Sequence, residues 1–430
     1  MVRRHRGCVR IRPTPIRWMV VSMFIMGAEY TTLTQVRGKS EKVAFLTFPA
    51  YFDILFVIEK EEQIMFKVFQ HLQWVVVLVA IVLVFAIIED IAAEKWEVIS
   101  ELPTHRRGFS TAVVNGKIYL IGGTLFENRR GPYGLSTVEV YDPQRNTWHR
   151  GADMPTPRMG PKTAVVDGII YVLGGYNAID NRAANVKHLD IVEAYNPQND
   201  TWVRKQDMSA PRIQFGISPV AGKIYTIGGA IHFFDIQAGE PGRLKLVEVY
   251  DPATDTWTKR ANMPTRRDGS GVGVVQNRIY AIGGRGWPQF WDGGPFLTTI
   301  EEYNPKTNRW RKKNEILNLR ISFSTVSLGD VIYLIGGSVR DGGLSTYLAT
   351  VDVYNPETEE WSDIPSMPIP ITPFGAAGAN GKIYVFGGRG ENRELFTDVL
   401  MFDTGFRAVE AMNKLSTRWG ELKSKRTPQP

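Results

Sequence analysis

The segment KIYLIGG (117–123) runs through a short apolar-rich stretch and stops on two glycines, and it is the first of a series. Glycine pairs recur as Gly122–Gly123, Gly174–Gly175, Gly228–Gly229, Gly283–Gly284, Gly336–Gly337 and Gly387–Gly388. Six tryptophans, Trp96, Trp148, Trp202, Trp257, Trp310 and Trp361, each stand 26 residues before the first glycine of a pair. Tyr141, Tyr195, Tyr250, Tyr303 and Tyr354 each precede a tryptophan by seven residues. The period is 51 to 55 residues, and only the stretch between a glycine pair and the next tyrosine changes length. A fixed period of this size marks a repeat architecture.

One unit can be read physically. After KIYLIGG, the glycines admit positive φ and a close approach of backbone. STVEVYDP (136–143) alternates again and ends on Asp-Pro, which starts a turn and cannot continue a sheet ladder. NTWHRGADMP (146–155) begins another strand and MGPKTAVVDG (159–168) yet another. Four short strands per unit, without helical periodicity, predict a twisted antiparallel sheet. Such a sheet cannot bury both faces alone, so six of them must stack radially.

These features resemble the Kelch repeat family. The resemblance is carried by the glycine pairs, the Tyr-Asp/Asn-Pro turns (YDPQRNTW, YNPQNDTW, YDPATDTW, YNPKTNRW, YNPETEEW), the spaced tryptophans and the Met-Pro-x-x-Arg segment, over about residues 94–403. It implies an all-β chain, a six-bladed β-propeller of four-stranded antiparallel blades, assigned here to residues 94–410. Two closures are open. Residues 95–99 (KWEVI) supply the outer strand of the last blade, or FRAVE (406–410) completes it and leaves Trp96 outside. The first places Trp96 in the repeat, and clasping of this kind removes the free sheet edges.

Of the 430 residues, 43% are hydrophobic and 22% charged, a globular composition. The net charge of +7 belongs to the ends: residues 1–64 hold 10 Lys+Arg against 6 Asp+Glu, residues 404–430 hold 6 against 2, and the rest hold 35 against 36. The body therefore carries no electrostatic footprint for nucleic acid. The single cysteine, Cys8, excludes a disulfide framework or a multi-cysteine metal site.

Before the propeller, residues 65–93 contain an unbroken apolar run at 74–88 (WVVVLVAIVLVFAII), read as a hydrophobic helix. Its length lies between a signal-peptide core and a membrane span. Bases before it and acids after it predict a propeller exported or membrane-anchored on the extracytoplasmic side. Residues 1–64 hold a second apolar run, WMVVSMFIMGA (18–28), and no clear period over 29–64; they are an extension of uncertain standing if translation starts at Met65. Residues 411–430 are a basic tail, an end docked on the surface or a partner-recognition tag.

No Gly-x-Ser-x-Gly, His-Glu-x-x-His or Walker loop occurs, and no catalytic residue, metal site or cofactor is expected. GSGVG (269–273) aligns with an inner strand, where small residues let the strands converge. The resemblance extends to galactose oxidase, a copper enzyme that depends on a tyrosine–cysteine crosslink; a propeller without cysteine excludes that activity. The exported sialic acid mutarotases share the fold and give the enzymatic alternative.

The connection between strands two and three emerges on the same rim as the one leading to the next blade. The latter carries an arginine ten residues after each tryptophan: Arg106, Arg158, Arg212, Arg267 and Arg320, with Ile371 in the sixth copy. Two readings stand. Five guanidiniums in a ring bind carboxylate or sulfate groups, or they pair with acids and loop carbonyls to hold the blades together. The variable loop RGWPQFWDGGPF (285–296) adds Trp287, Phe290 and Trp291 around Asp292, with further aromatics at Tyr176, His188 and Tyr347. Such groups suit sugar rings or peptide side chains, or pack on one another as a lid. The expectation is a noncatalytic module binding a protein or a glycan through this rim.

Overall fold

A computed structural model describes strands 18–25, 28–35, 42–47 and 53–58, and residues 95–406 apart from 126–133, 179–185, 232–241, 287–294 and 342–343. The chain forms two compact units, Met1–Ile88 and Glu89–Pro430. In the first, Trp18–Ile25, Ala28–Gln35, Lys42–Thr47 and Asp53–Ile58 pair antiparallel in chain order. The second apolar run, 18–28, thus carries a strand, and the stretch 29–64, which shows no clear period, carries most of three more. Segments such as KVAFLT and DILFVI are rich in β-branched and aromatic residues, which favour a pleated ladder. The hydrophobic helix expected over 74–88, residues 65–93 as a whole, and the tail 411–430 lie outside the described residues. Among the described residues no helix is long and apolar enough to cross a membrane.

The second unit is a six-bladed propeller of four-stranded antiparallel sheets. From the inner strand outward, blade 1 is Ser110–Val114, Lys117–Ile121, Val138–Asp142 and Thr147–Gly151. Blades 2 to 5 repeat the pattern, with inner strands Lys162–Val166, Gly216–Val220, Gly271–Val275 and Ser324–Leu328. Burial follows radius: Val138–Asp142 is buried throughout, whereas Thr147–Gly151 is exposed at three of five positions. The cores lie between blades. Ile121, Val138 and Val140 of blade 1 pack with Ile170, Val172 and Tyr195 of blade 2 in one apolar cluster. Convergence at the axis requires small residues: a Cβ on Gly271 would lie 2.5 Å from Thr325 Cγ2 of the next blade, as the GSGVG reading requires.

Blade 6 closes the ring with a strand from the other end of the unit. Thr372–Ala379, Lys382–Arg389 and Leu395–Asp403 are followed in the sheet by Glu97–Glu101. Leu400 pairs with Val98 and Met401 with Glu97. The N-terminal clasp therefore holds, with the strand two residues later than KWEVI.

The rim with the Tyr-Asp/Asn-Pro turns is stitched by one repeated device. Each tyrosine ring lies against the tryptophan seven residues on, with centroids 4.8 to 5.1 Å apart, and Trp96 takes the same place on Phe402 at 5.2 Å. The residue two before the tryptophan adopts positive φ in Asn146, Asp200, Asp255 and Asn308, a conformation that Asn and Asp tolerate best. Its side chain accepts the tyrosine hydroxyl, as in Tyr250 to Asp255 Oδ1 at 2.6 Å. In four blades the residue at this position accepts a backbone N–H from the preceding blade: Ala152 to Asp200, Gln206 to Asp255, Ala261 to Asn308 and Asn314 to Glu359. The tryptophan Nε1 reaches back too, from Trp202 to Ala152 O and from Trp257 to Gln206 O, both 2.9 Å.

Candidate functional site

The opposite rim receives the variable connections and the arginine-bearing crossings between blades. Arg106, Arg158, Arg212, Arg267 and Arg320 are all 0% exposed. Each meets a carboxylate on the third strand of the blade it enters. Arg106 Nη2 lies 3.0 Å from Glu139, Arg158 Nη2 2.5 Å from Glu193, Arg267 Nη2 3.0 Å from Glu301 and Arg320 Nη2 2.5 Å from Asp352; Arg212 pairs with Glu248. The other nitrogens serve the backbone. Arg106 Nη1 donates to Gly122 O and Thr137 O at 2.8 and 3.0 Å, and Arg267 Nη1 to Gly283 O and Thr299 O at 2.9 and 3.1 Å. Burial pushes all five guanidiniums below the ordinary arginine range while the facing carboxylate pulls the other way; Arg158 comes down to about 10.

These five arginines are therefore not a ring open to ligand. Their charges and donors are engaged inside the fold, which corrects the exposed-guanidinium reading and matches the blade-holding one. The physical reason is the glycine pair. Gly122 and Gly123 turn away from the ladder at φ +73° and +100°; the Gly123 carbonyl accepts the Leu135 N–H, and the guanidinium of Arg106 takes the Gly122 carbonyl. Sequence reading missed the five acids. Their signal was present: each stands two residues before the repeat tyrosine, as in VEVY, VEAY and VDVY.

Of the loop residues singled out from sequence, Trp287, Phe290, Trp291 and Asp292 lie outside the described residues. Tyr176 and His188 are brought together by a small hairpin, Tyr176–Ala178 with Val186–His188, their rings 6.2 Å apart. Around the mouth of the central channel, the residue after each arginine crossing faces the residue after each glycine pair. The six facing pairs are Arg107–Thr124, Met159–Tyr176, Ile213–Ala230, Asp268–Arg285, Ile321–Ser338 and Thr372–Arg389. Asp268 accepts from Arg285 Nη2 at 2.9 Å and from Arg243 Nε at 3.0 Å. Among the described residues no group of three or more His, Cys, Asp or Glu gathers as a metal site would require.

The Kelch motif matches residues 105–155, 157–209, 211–264, 266–315 and 319–368. The chain belongs to the Kelch repeat family. Each matched Kelch segment begins at or just before the buried arginine or its equivalent. The matches end before the sixth unit, which nevertheless forms a full blade. Among similar proteins, the mouse Kelch-like protein 35 is 27% identical over 299 residues, covering 69% of this chain and 46% of its own length. Human Kelch-like protein 23 is 29% identical over 272 residues, covering 63% and 43%. Kelch-like protein terF of Aspergillus terreus is 26% identical over 285 residues, covering 66% and 61%. The match spans less than half the length of the first two. Among solved structures, that titled "Structure of YjhT" superposes with a TM-score of 0.59 at 17% identity, covering 70% of this chain and 96% of that one. That likeness concerns the fold.

Proposed function

We propose that this chain is a noncatalytic binding module that recognises a protein through the rim of its variable connections. One observation carries the reading: all of the length variation falls on one rim. Tyrosine to tryptophan is always seven residues and tryptophan to glycine always 26, whereas the second glycine to the next tyrosine runs from 17 to 21. Variable loops on a rigid scaffold are where recognition usually resides. Kelch propellers generally bind proteins, which supports the same choice. The aromatic loop 285–296 is the segment of this rim best suited to hold a partner, and the apolar run 74–88 suggests that the partner is met outside the cytoplasm.

A photo-crosslinking residue tests the rim. Placed at Gln289, it is expected to give a discrete protein adduct in native cells; placed at Gln144, on the turn of the opposite rim, it gives none. Adducts from Gln144 alone would move the site. Protease accessibility in intact cells checks export: a propeller shielded until the membrane is opened overturns it.

The second reading is a sugar mutarotase, favoured by the Tyr176–His188 ring pair beside the channel mouth, an aromatic surface of the kind that holds a sugar ring. Purified protein that leaves the anomeric equilibration of fresh sialic acid unchanged removes it.

A further inference from the structure

We propose that the basic tail, residues 407–430, docks on the flank of blade 5 and seats Trp419 in a cavity that the noncovalent closure leaves open. The cavity, about 380 Å³, is lined by Val331, Val353, Asn355, Glu360, Trp361 and Ser362. It lies beside the Tyr-Asn-Pro turn of blade 5, on the rim opposite the variable connections, and does not depend on the rim reading above. Val353 pairs with Ser362 and Asn355 with Glu360, so these four share one face of the sheet. Val353 packs there with Ile383, Val385 and Phe402 of blade 6. The cavity belongs to the seam between blades 5 and 6.

That seam lacks a part the others have. At four seams the turn of the following blade takes a backbone N–H from the blade before it, at Ala152, Gln206, Ala261 or Asn314. Each donor stands four residues after a tryptophan. Blade 6 has no such turn, because its third strand ends at Asp403 and its outer strand is the clasp Glu97–Glu101. In blade 5 the donor position is Pro365, which has no N–H to offer. Trp96 covers its carbonyl, and the flank outside it stays open.

Two stretches outside the described residues run on from this seam, 89–94 before the clasp and 407–430 after blade 6. The second leaves toward the cavity. A Cβ on Gly329 of blade 5 would lie 2.5 Å from Phe406 Cε2, and Gly329 stands two residues before Val331. Charge makes the same choice. Residues 356–366 of blade 5 hold four acids and no lysine or arginine, whereas the same segment of blade 4, 305–315, holds five bases and one acid. Lys313 of blade 4 takes Glu359, but the exposed Glu360 side chain has no partner among the described residues. Residues 407–430 carry 6 Lys+Arg against 2 Asp+Glu, while 89–94 carry three acids and no base. Trp419 is the one aromatic residue of 407–430, with Arg418 beside it. An indole joins an apolar body to one N–H, which suits valine walls next to Asn355 and Ser362. The 13 residues from Phe406 to Trp419 can span about 40 Å, ample reach across one blade. The turn rim thus carries a site for a basic segment with an aromatic anchor, filled by this chain's own tail.

A photo-crosslinking residue in place of Ser362 tests this in the purified intact chain, with mass spectrometry locating the adduct. The expected adduct reaches the tail around Trp419, and its yield falls as salt rises. The same residue in place of Thr258, the matching position of blade 3, gives none. Glu360→Lys and Trp419→Ala, each made in the photoreactive chain, lower the yield at least fivefold with an unchanged thermal midpoint. Glu360→Lys combined with Arg418→Glu restores it. In a mixture of isotopically heavy and light chains, adducts form only within one chain. Adducts to 89–94 instead of the tail, no adduct, equal yield from Thr258, full yield in either single variant, or a charge swap that restores nothing overturns the proposal. So do adducts between heavy and light chains, which assign the cavity to a second copy.

Discussion

Ile371 and Leu400 replace, as a pair, the arginine and the carboxylate that meet in each of the other five blades. Ile371 takes the arginine position and Leu400 the position two residues before the ring that carries tryptophan, and both lie buried in one apolar cluster. Losing one member alone would strand a charge in the interior. Losing both leaves a dry contact of similar role, and the two states are energetically interchangeable only as units.

That relationship predicts the behaviour of the charged blades. Arg158→Ile or Glu193→Leu alone should cost about 3–5 kcal/mol, because each strands a buried charge. The double variant should recover most of the loss despite the carbonyls left without Arg158 donors. Urea unfolding at constant m-value measures it. A double variant as unstable as the worse single one would mean that the carbonyl bonds outweigh the ion pair.

The tryptophan stitches predict an asymmetry between blades. Trp202 Nε1 donates to Ala152 O, whereas Trp361 Nε1 is buried with no acceptor among the described residues. The strand of the preceding blade is irregular there, its pairing shifting between Thr299 and Glu301, and Asn314 turns its side chain to Tyr354 and Glu359 instead. Replacing Trp202 by Phe should therefore cost about 1 kcal/mol more than replacing Trp361 by Phe. Equal losses by chemical denaturation would assign the stability to ring packing alone.

The seam predicts which end of the propeller unit holds the ring. Replacing residues 96–101 by a glycine–serine linker removes the outer strand of blade 6 and the Trp96 ring from Phe402. Loss of the half-buried Trp96 ring together with the whole outer ladder should lower the thermal midpoint by on the order of 10 °C. Truncation after Phe406 should shift it little. Comparable shifts in the two proteins would place a closing element beyond residue 406.

The tyrosine girdle sets the alkaline limit. Burial pushes Tyr280, Tyr303 and Tyr384 up to about 12, and Tyr195, Tyr250 and Tyr354 higher still. The unfolded chain releases these protons near pH 10, so stability is held below about pH 10 and falls as pH climbs through the folded values. The lowered arginines act with the opposite sign, but the tyrosines outnumber them. Tyrosinate absorbance followed with circular dichroism should show most phenols titrating together with unfolding. Phenols that titrate near pH 10 in folded protein would contradict their burial.

The sequence by itself determined the blade count and the strand order, and left two closures between which the structure chose. Count and order follow from local rules: Gly122–Gly123 where positive φ is needed, Asn or Asp two residues before tryptophan where a left-handed turn is needed, and a fixed Tyr141-to-Trp148 spacing. The clasp was legible as one of the two closures, because Trp96 keeps the offset of the other five. It did not determine what each arginine does, since Arg106 and Arg107 are adjacent letters with the same charge. Only the tertiary structure separates them: the crossing turns Arg106 inward onto Glu139, 33 residues away, and leaves Arg107 facing Thr124 without a counter-charge among the described residues. Spacing along the chain records the repeat. Whether a charge is partnered depends on which strand lies across from it, and that is fixed only when the blades close on one another.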